Sequence, residues 1–142
     1  MITSTLNISS NTEKLNAVRE FVSDAARNFG FDDETVSKIS LAVDEACTNI
    51  IKHAYEYAPN KELEIKVLTN KQQFEVIITH QGKLLDPKLI TTPDMKEYLV
   101  HPRRGGLGIH LMRLLMDSVE YKIRDDKKCE VHLMKKISTA VG

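Results

Sequence analysis

Glu45 and Asn49 stand one i,i+4 step apart in the run Leu41-Ala42-Val43-Asp44-Glu45-Ala46-Cys47-Thr48-Asn49-Ile50-Ile51-Lys52-His53-Ala54-Tyr55. On a helix that spacing sends both side chains off one face. A carboxylate with a carboxamide one turn away can serve phosphoryl chemistry in two ways. The carboxylate can accept the proton of an attacking hydroxyl, and the amide oxygen can ligate a hard cation such as Mg²⁺. A second grouping, Gly105-Gly106-Leu107-Gly108, opens an apolar run. Glycines let the backbone approach an anion, and the free N–H groups and positive potential of a helix start favour phosphate. Arg103 and Arg104 beside it can add charge. Each grouping alone has a plainer reading, as the solvated edge of an amphipathic helix or as a tight turn. A long loop just before the glycines makes the combination specific.

The elements that must position these groups follow from hydrophobic periodicity. Val43, Ala46, Ile50 and Ala54 recur at three and four and predict a helix, opened by Asp32 and Asp33 and running to about Tyr57. Before it, Leu15, Val18, Phe21, Val22 and Ala25 form a helical stripe ending at Gly30, with Ser10 and Glu13 as its capping box. Ile2, Leu6 and Ile8 alternate as an edge strand. Leu63, Ile65 and Val67 alternate too, turn at Asn70-Lys71, and return through Phe74, Val76 and Ile78 as an antiparallel partner. Asp86-Pro87 opens a short helix, and residues 91–104, with two prolines and little periodicity, form a loop of functional length. The stripe of Leu111, Leu114 and Leu115 reads as core. A closing hairpin pairs Val119, Tyr121 and Ile123 with residues 130–134 around Asp125-Asp126. This order predicts an α+β two-layer sandwich, a mostly antiparallel sheet covered on one face by helices.

The whole chain narrows the function classes. Its 142 residues suit a single domain, 1–142, and 20 basic residues balance 20 acidic ones, which argues against direct nucleic-acid binding. No apolar run approaches the roughly 18 residues of a membrane span and no signal-peptide core precedes the first strand, so a cytoplasmic location is expected. Cys47 and Cys129 lack metal or redox spacing and read as structural thiols, and the five histidines lack ligand spacing.

On these residues the sequence resembles the GHKL ATP-binding superfamily, and within it the small anti-sigma-factor serine kinases of bacterial partner-switching systems. Two stretches carry the resemblance. Residues 41–55 match the family's N-box, with its E-x-x-x-N core and the following His-Ala-Tyr, and Gly105-Gly106-Leu107-Gly108-Ile109-His110-Leu111 matches its second glycine box. Met116-Asp117-Ser118-Val119-Glu120-Tyr121 is a typical continuation. The resemblance implies an ATP site between the long helix and the sheet. Asn49 would hold Mg²⁺, Glu45 would be the base for a serine hydroxyl, and residues 91–104 would be the ATP lid. Arg104, Gly105, Gly106, Leu107 and Gly108 would surround the phosphates, and His53, His80 and Gly82 would join the nucleotide-binding set. From position alone, His53 reads as a partly buried polar residue and His80 as a strand-end residue facing water. The implied partners are a STAS-domain anti-anti-sigma protein and a sigma factor, with a homodimer as a further implication; no membrane is involved.

One box departs from the family. Its first glycine box reads Asp-x-Gly-x-Gly before an apolar residue and Asp-Pro; here Leu85-Asp86-Pro87 aligns without gaps and puts His80 at the Asp, Gly82 at the first Gly and Leu84 at the second. A neutral imidazole can accept one hydrogen bond where a carboxylate accepts several. Two readings follow: a serine-protein kinase using ATP and Mg²⁺, favoured by Glu45 and Asn49, and a catalytically weak regulatory module acting through protein contacts, favoured by His80 and Leu84. A histidine-kinase catalytic domain is disfavoured, because nothing before the domain reads as a helix pair carrying a phospho-accepting His and the lid is short for that group.

Overall fold

A computed structural model describes residues 2–81 and 108–137 of the chain. Five strands, β1 (Ile2–Ser9), β2 (Glu62–Thr69), β3 (Gln73–His80), β4 (Ser118–Ile123) and β5 (Cys129–Lys136), form one sheet in the order β1-β2-β3-β5-β4. Every pairing is antiparallel. Among the described residues three α-helices, α1 (Leu15–Phe29), α2 (Asp33–Asn49) and α3 (Gly108–Leu115), pack against one face. The architecture is the α+β sandwich that the periodicity predicts.

Strand alternation decides which face is covered. Leu63, Ile65 and Val67 of β2 face Phe74, Val76 and Ile78 of β3 and, beyond them, Val131 and Leu133 of β5; all are buried. The intervening Glu64, Lys66 and Glu75 lie on the other side and stay partly exposed. A one-residue slip would invert this arrangement, so burial fixes the register. The β2–β3 turn is set by Asn70, whose side chain accepts from the N–H groups of Gln72 and Gln73 at 2.9 and 2.8 Å.

The helix boundaries mix agreement and correction. Asp32 caps α2 as expected, accepting from the Thr35 N–H at 2.8 Å. The capping box at Ser10 is not formed. Asn11 caps the 3-10 turn Thr12–Lys14 that leads into α1, accepting from Glu13 N at 2.9 Å. Ser10 is buried instead, its hydroxyl donating to Ala58 O and accepting from Lys61 N, so it ties the exit of β1 to the segment after α2. Gly30 ends α1 at φ +116°, with the Gly30 and Phe31 N–H groups both reaching Ala26 O, the Schellman closure that favours glycine. Gly30→Ala is expected to cost about 1 kcal/mol, because a Cβ strains this conformation; urea unfolding of the two proteins measures it.

Two further expectations are corrected. Leu114 is not core but 69% exposed. Ile109, Met112 and Met116 take the buried stripe of the segment, and Leu114, two residues from Met112 and so about 200° around the axis, must face outward. The long helix also does not run as α-helix to Tyr57. Its α portion stops at Asn49 and continues as a π-helical turn, Ile50–Ala54, in which Tyr55 N donates to Ile50 O at 2.9 Å. Tyr57 N then reaches Ile51 O at 2.8 Å, and Glu56 and Tyr57 leave the axis at positive φ. Single π-turns inside helices concentrate at functional sites.

Candidate nucleotide and phosphoryl-transfer site

The packing that seats α2 against the sheet creates the site. Val36, Ile39, Val43, Ala46 and Ile50 fill the core, and the same rotation turns Asn49 inward until it is 5% exposed, with Glu45 partly buried one turn earlier. Among the described residues, just two buried side-chain polar atoms lack a hydrogen-bond partner, Glu45 Oε2 and Asn49 Nδ2. An unmade bond at a buried polar atom costs roughly 1–3 kcal/mol. Two such atoms, on residues one turn apart, mark a place prepared for something else.

That place suits a magnesium ion shared with phosphates. A half-turn about the last side-chain torsion of Asn49 exchanges amide nitrogen and oxygen, so the group can offer an oxygen to a hard cation. No cluster of three or more His, Cys, Asp or Glu that could hold a metal exists among the described residues.

Glu45 is the acidic member of the pair. Burial pushes its carboxyl above the ordinary range, and the adjacent Asp44 charge adds to the effect. Asp44 is itself held by Arg19 of α1, at 2.5 Å, so the neighbouring charge is partly compensated. A carboxylate with raised proton affinity is better matched to removing a hydroxyl proton near neutral pH.

At the other end of the same helix a second polar cluster assembles. The π-turn delivers Tyr55 to the end of the sheet, where its hydroxyl donates to Glu62 O at 2.5 Å and accepts from Gln81 N at 2.8 Å. His80, the last residue of β3, packs edge-on against the Tyr55 ring with centroids 6.0 Å apart. Cys129 stands directly opposite His80 in the β3–β5 ladder. His80 is 2% exposed, so it does not face water as its strand-end position suggests. It occupies the covered face with Ile78 and Val76, and burial pushes its pKa down. His53 is exposed rather than partly buried, one turn beyond Asn49. Both cysteines are free and buried, in agreement with a structural role, and the Cys47 thiol is pushed up to about 12 by burial.

The structure therefore brings Glu45 and Asn49 together on one helix and puts His80 at the strand end beside that helix's C-terminal turn. Gly82, Leu84, Asp86-Pro87, the 91–104 loop, Arg103, Arg104, Gly105, Gly106 and Leu107 lie outside the described residues. Gly108 is the first residue of α3, so the helix that the glycines precede is present. The contacts that Tyr55 makes with Gln81 and Glu62 escaped the sequence analysis: both Tyr55 and Gln81 lay within stretches it singled out, but nothing in their spacing marked the tyrosine as a cross-link.

The family model of the histidine kinase-like ATPase domain matches residues 8–135. The chain belongs to this family. Among curated relatives, the serine-protein kinase RsbW of Bacillus pumilus is 32% identical over 124 residues, covering 81% of this chain and 75% of the relative. That of Halalkalibacterium halodurans is 31% identical over 121 residues, covering 82% and 74%. A solved structure of the RsbU and RsbW domains of a Mycobacterium tuberculosis protein superposes with a TM-score of 0.66 at 10% identity, over 95% of this chain and 32% of that longer one. The catalytic domain of the histidine kinase ThkA superposes at 0.52 with 13% identity, over 96% of each chain. At these identities the structures speak to fold, and the fold is that of the family. No helix among the described residues is long and apolar enough to cross a membrane.

Proposed function

We propose that this chain is an ATP-dependent serine-protein kinase of the anti-sigma type, which phosphorylates a STAS-domain antagonist and binds a sigma factor when that antagonist is unavailable. The observation that carries the reading is the pair of unpartnered buried atoms, Glu45 Oε2 and Asn49 Nδ2, on one helix of a histidine kinase-like ATPase domain. The kinase names of the relatives support the reaction class.

In this proposal the Asn49 amide oxygen would hold Mg²⁺, and the ion would supply compensation for the phosphate charge. Glu45 takes the proton of the substrate serine as its oxygen bonds to the γ-phosphorus and ADP leaves. Phosphoryl transfer asks a protein chiefly for positioning and charge compensation. Arg104, Gly105, Gly106, Leu107 and Gly108 surround the phosphates, residues 91–104 are the lid, and His53, His80 and Gly82 complete the nucleotide set. The protein acts in the cytoplasm, as one domain over residues 1–142; the oligomeric state is left open between a monomer and the homodimer that the family resemblance implies.

A regulatory module on the same fold is the second reading, favoured by a histidine at position 80 in place of an acidic side chain. Calorimetric titration with ATP and Mg²⁺ separates the two. The kinase reading expects binding at about micromolar ATP that needs Mg²⁺ and disappears in Asn49→Ala. Absence of heat at millimolar nucleotide removes the enzyme and leaves the module.

A further inference from the structure

Strand β5 breaks its own pattern where it passes the end of α3. Cys129, Val131 and Leu133 alternate onto the covered face and are buried. The next residue on that face, opposite Phe74 of β3, is Lys135. A half-buried lysine in line with core positions needs a partner for its ammonium group. It finds one at the corner after α3, where Lys135 Nζ donates to Leu115 O at 2.9 Å. Leu115 is the last residue of α3, so its carbonyl has no partner within the helix. A cation there also meets the negative end of the helix dipole. Two further bonds fasten the same corner. Asp117 N donates to Met134 O at 2.9 Å, and Asp117 Oδ2 accepts from Lys136 N at 2.6 Å. Asp117 belongs to the run 116–121 that accompanies the glycine box in the sequence, and the site described above gives it no role.

Helix α3 needs such a fastening. Its eight residues span roughly 12 Å, and it buries Ile109 and Met112 while packing chiefly against α2. Apolar burial against one neighbour is non-directional, so by itself it lets a two-turn helix tilt or slide along that neighbour. Directional bonds to a strand of the sheet remove this freedom. We propose that Lys135, aided by Asp117, is a positioning residue for phosphate binding: by tying the C-terminal end of α3 to β5 it aims the other end, where Gly108 begins the helix, at the phosphates of the nucleotide. The inference rests on the ATP reading above. A helix this short moves as one rod, so a tilt released at Leu115 reappears at Gly108. The favourable potential at a helix start falls off within one turn, which makes its effect on an anion sensitive to aim. Both residues act through α3 and not on the nucleotide directly.

The test compares the parent with Lys135→Met, which keeps the apolar stem and removes the donor. Two readings are taken at a temperature where thermal melts show each protein folded. Calorimetry with Mg²⁺ gives ATP affinity, and nitrogen–proton NMR correlation spectra give the shift of the Gly108 amide at saturating ATP. The expected result is ATP affinity weaker by about three- to tenfold, the range that helix-terminus interactions span, with a smaller Gly108 shift at saturation. Lys135→Arg, still a cationic donor, should recover most of both. Lys136→Met removes the same charge from the opposite face of β5 and should leave both readings at parental values. If Lys135→Met does not fold, Asp117→Ala decides by the same two readings, with a smaller change in the same direction. A purely structural lysine would lower the melting temperature and leave both readings unmoved, which overturns the proposal. A Gly108 amide that ATP does not shift in the parent, or a Lys136→Met variant as impaired as Lys135→Met, also overturns it while ATP binding stands. Failure of the parent to bind ATP overturns the ATP reading and this inference with it.

Discussion

Glu45→Gln is expected to lower the rate of phosphoryl transfer by about 10²–10⁴-fold, the range associated with a positioned general base, while Mg²⁺·ATP affinity changes by no more than a few-fold. The amide keeps the shape of the side chain and loses its proton affinity. A second effect runs the other way. Because burial raises the Glu45 pKa in the folded protein, folding favours the protonated carboxyl. That contribution is fully present in acid, below the carboxylate's unfolded pKa, and is lost as pH rises through the raised folded value. At neutral pH the parent therefore carries an ionised, incompletely partnered group that glutamine cannot reproduce. The variant should melt above the parent at neutral pH, by a margin that solvent screening of this partly exposed residue holds to about 1 kcal/mol or less. The margin should close in acid. Single-turnover assays and thermal melts at two pH values measure both effects, and a variant that is both active and less stable would remove Glu45 as the base. In the parent, the acid limb of the pH–rate profile should lie above the range of an ordinary carboxylate.

Asn49→Ala should abolish the Mg²⁺-dependent part of nucleotide affinity. Removing an outer-shell partner of a metal ligand already costs about 10–100-fold, so loss of the protein ligand itself should exceed that. The free protein should lose little stability. The deleted amide has a buried nitrogen with no partner, and its loss offsets part of the small cavity that alanine leaves. The diagnostic comparison is titration with and without Mg²⁺ in both proteins. Equal affinities in the variant and the parent at saturating Mg²⁺ would show that the metal is held elsewhere.

The parts of the molecule legible in the sequence are those in which one side chain repeats one environment. Alternation in β2 and β3 and the stripe of Val43, Ala46 and Ile50 report a covered face directly, so the strands, the hairpin at Asn70 and the sandwich followed from them. Glu45 and Asn49 were legible because a four-residue spacing means the same thing on any helix. The failures occurred where a residue's role is set by something distant in the chain. Ser10 has a side chain suited to a cap, but the segment around Ala58 and Lys61 claims its hydroxyl. His80 ends a strand, and strand ends are usually wet; here Tyr55, 25 residues earlier, covers it. Leu114 is apolar, but the neighbouring stripe of Ile109, Met112 and Met116 had already taken the inward direction. The local pattern proposes a partner for each side chain, and tertiary competition decides which partner it gets.

The π-turn at Ile50–Ala54 lets the chain fit one extra residue between two points of nearly fixed separation. A π-turn is an α-helix holding one residue more than its hydrogen-bond spacing allows, so removing one residue from it restores α spacing. Because the wider turn carries its extra residue through about the same rotation and rise as the α spacing that replaces it, everything beyond keeps its direction around the axis. Excising Lys52, an exposed side chain with no place in the core, would leave Glu45 and Asn49 where they are and keep Tyr55 near the strand end. Relatives of this domain with one residue fewer at that point could cover the strand end from an unbroken α-helix.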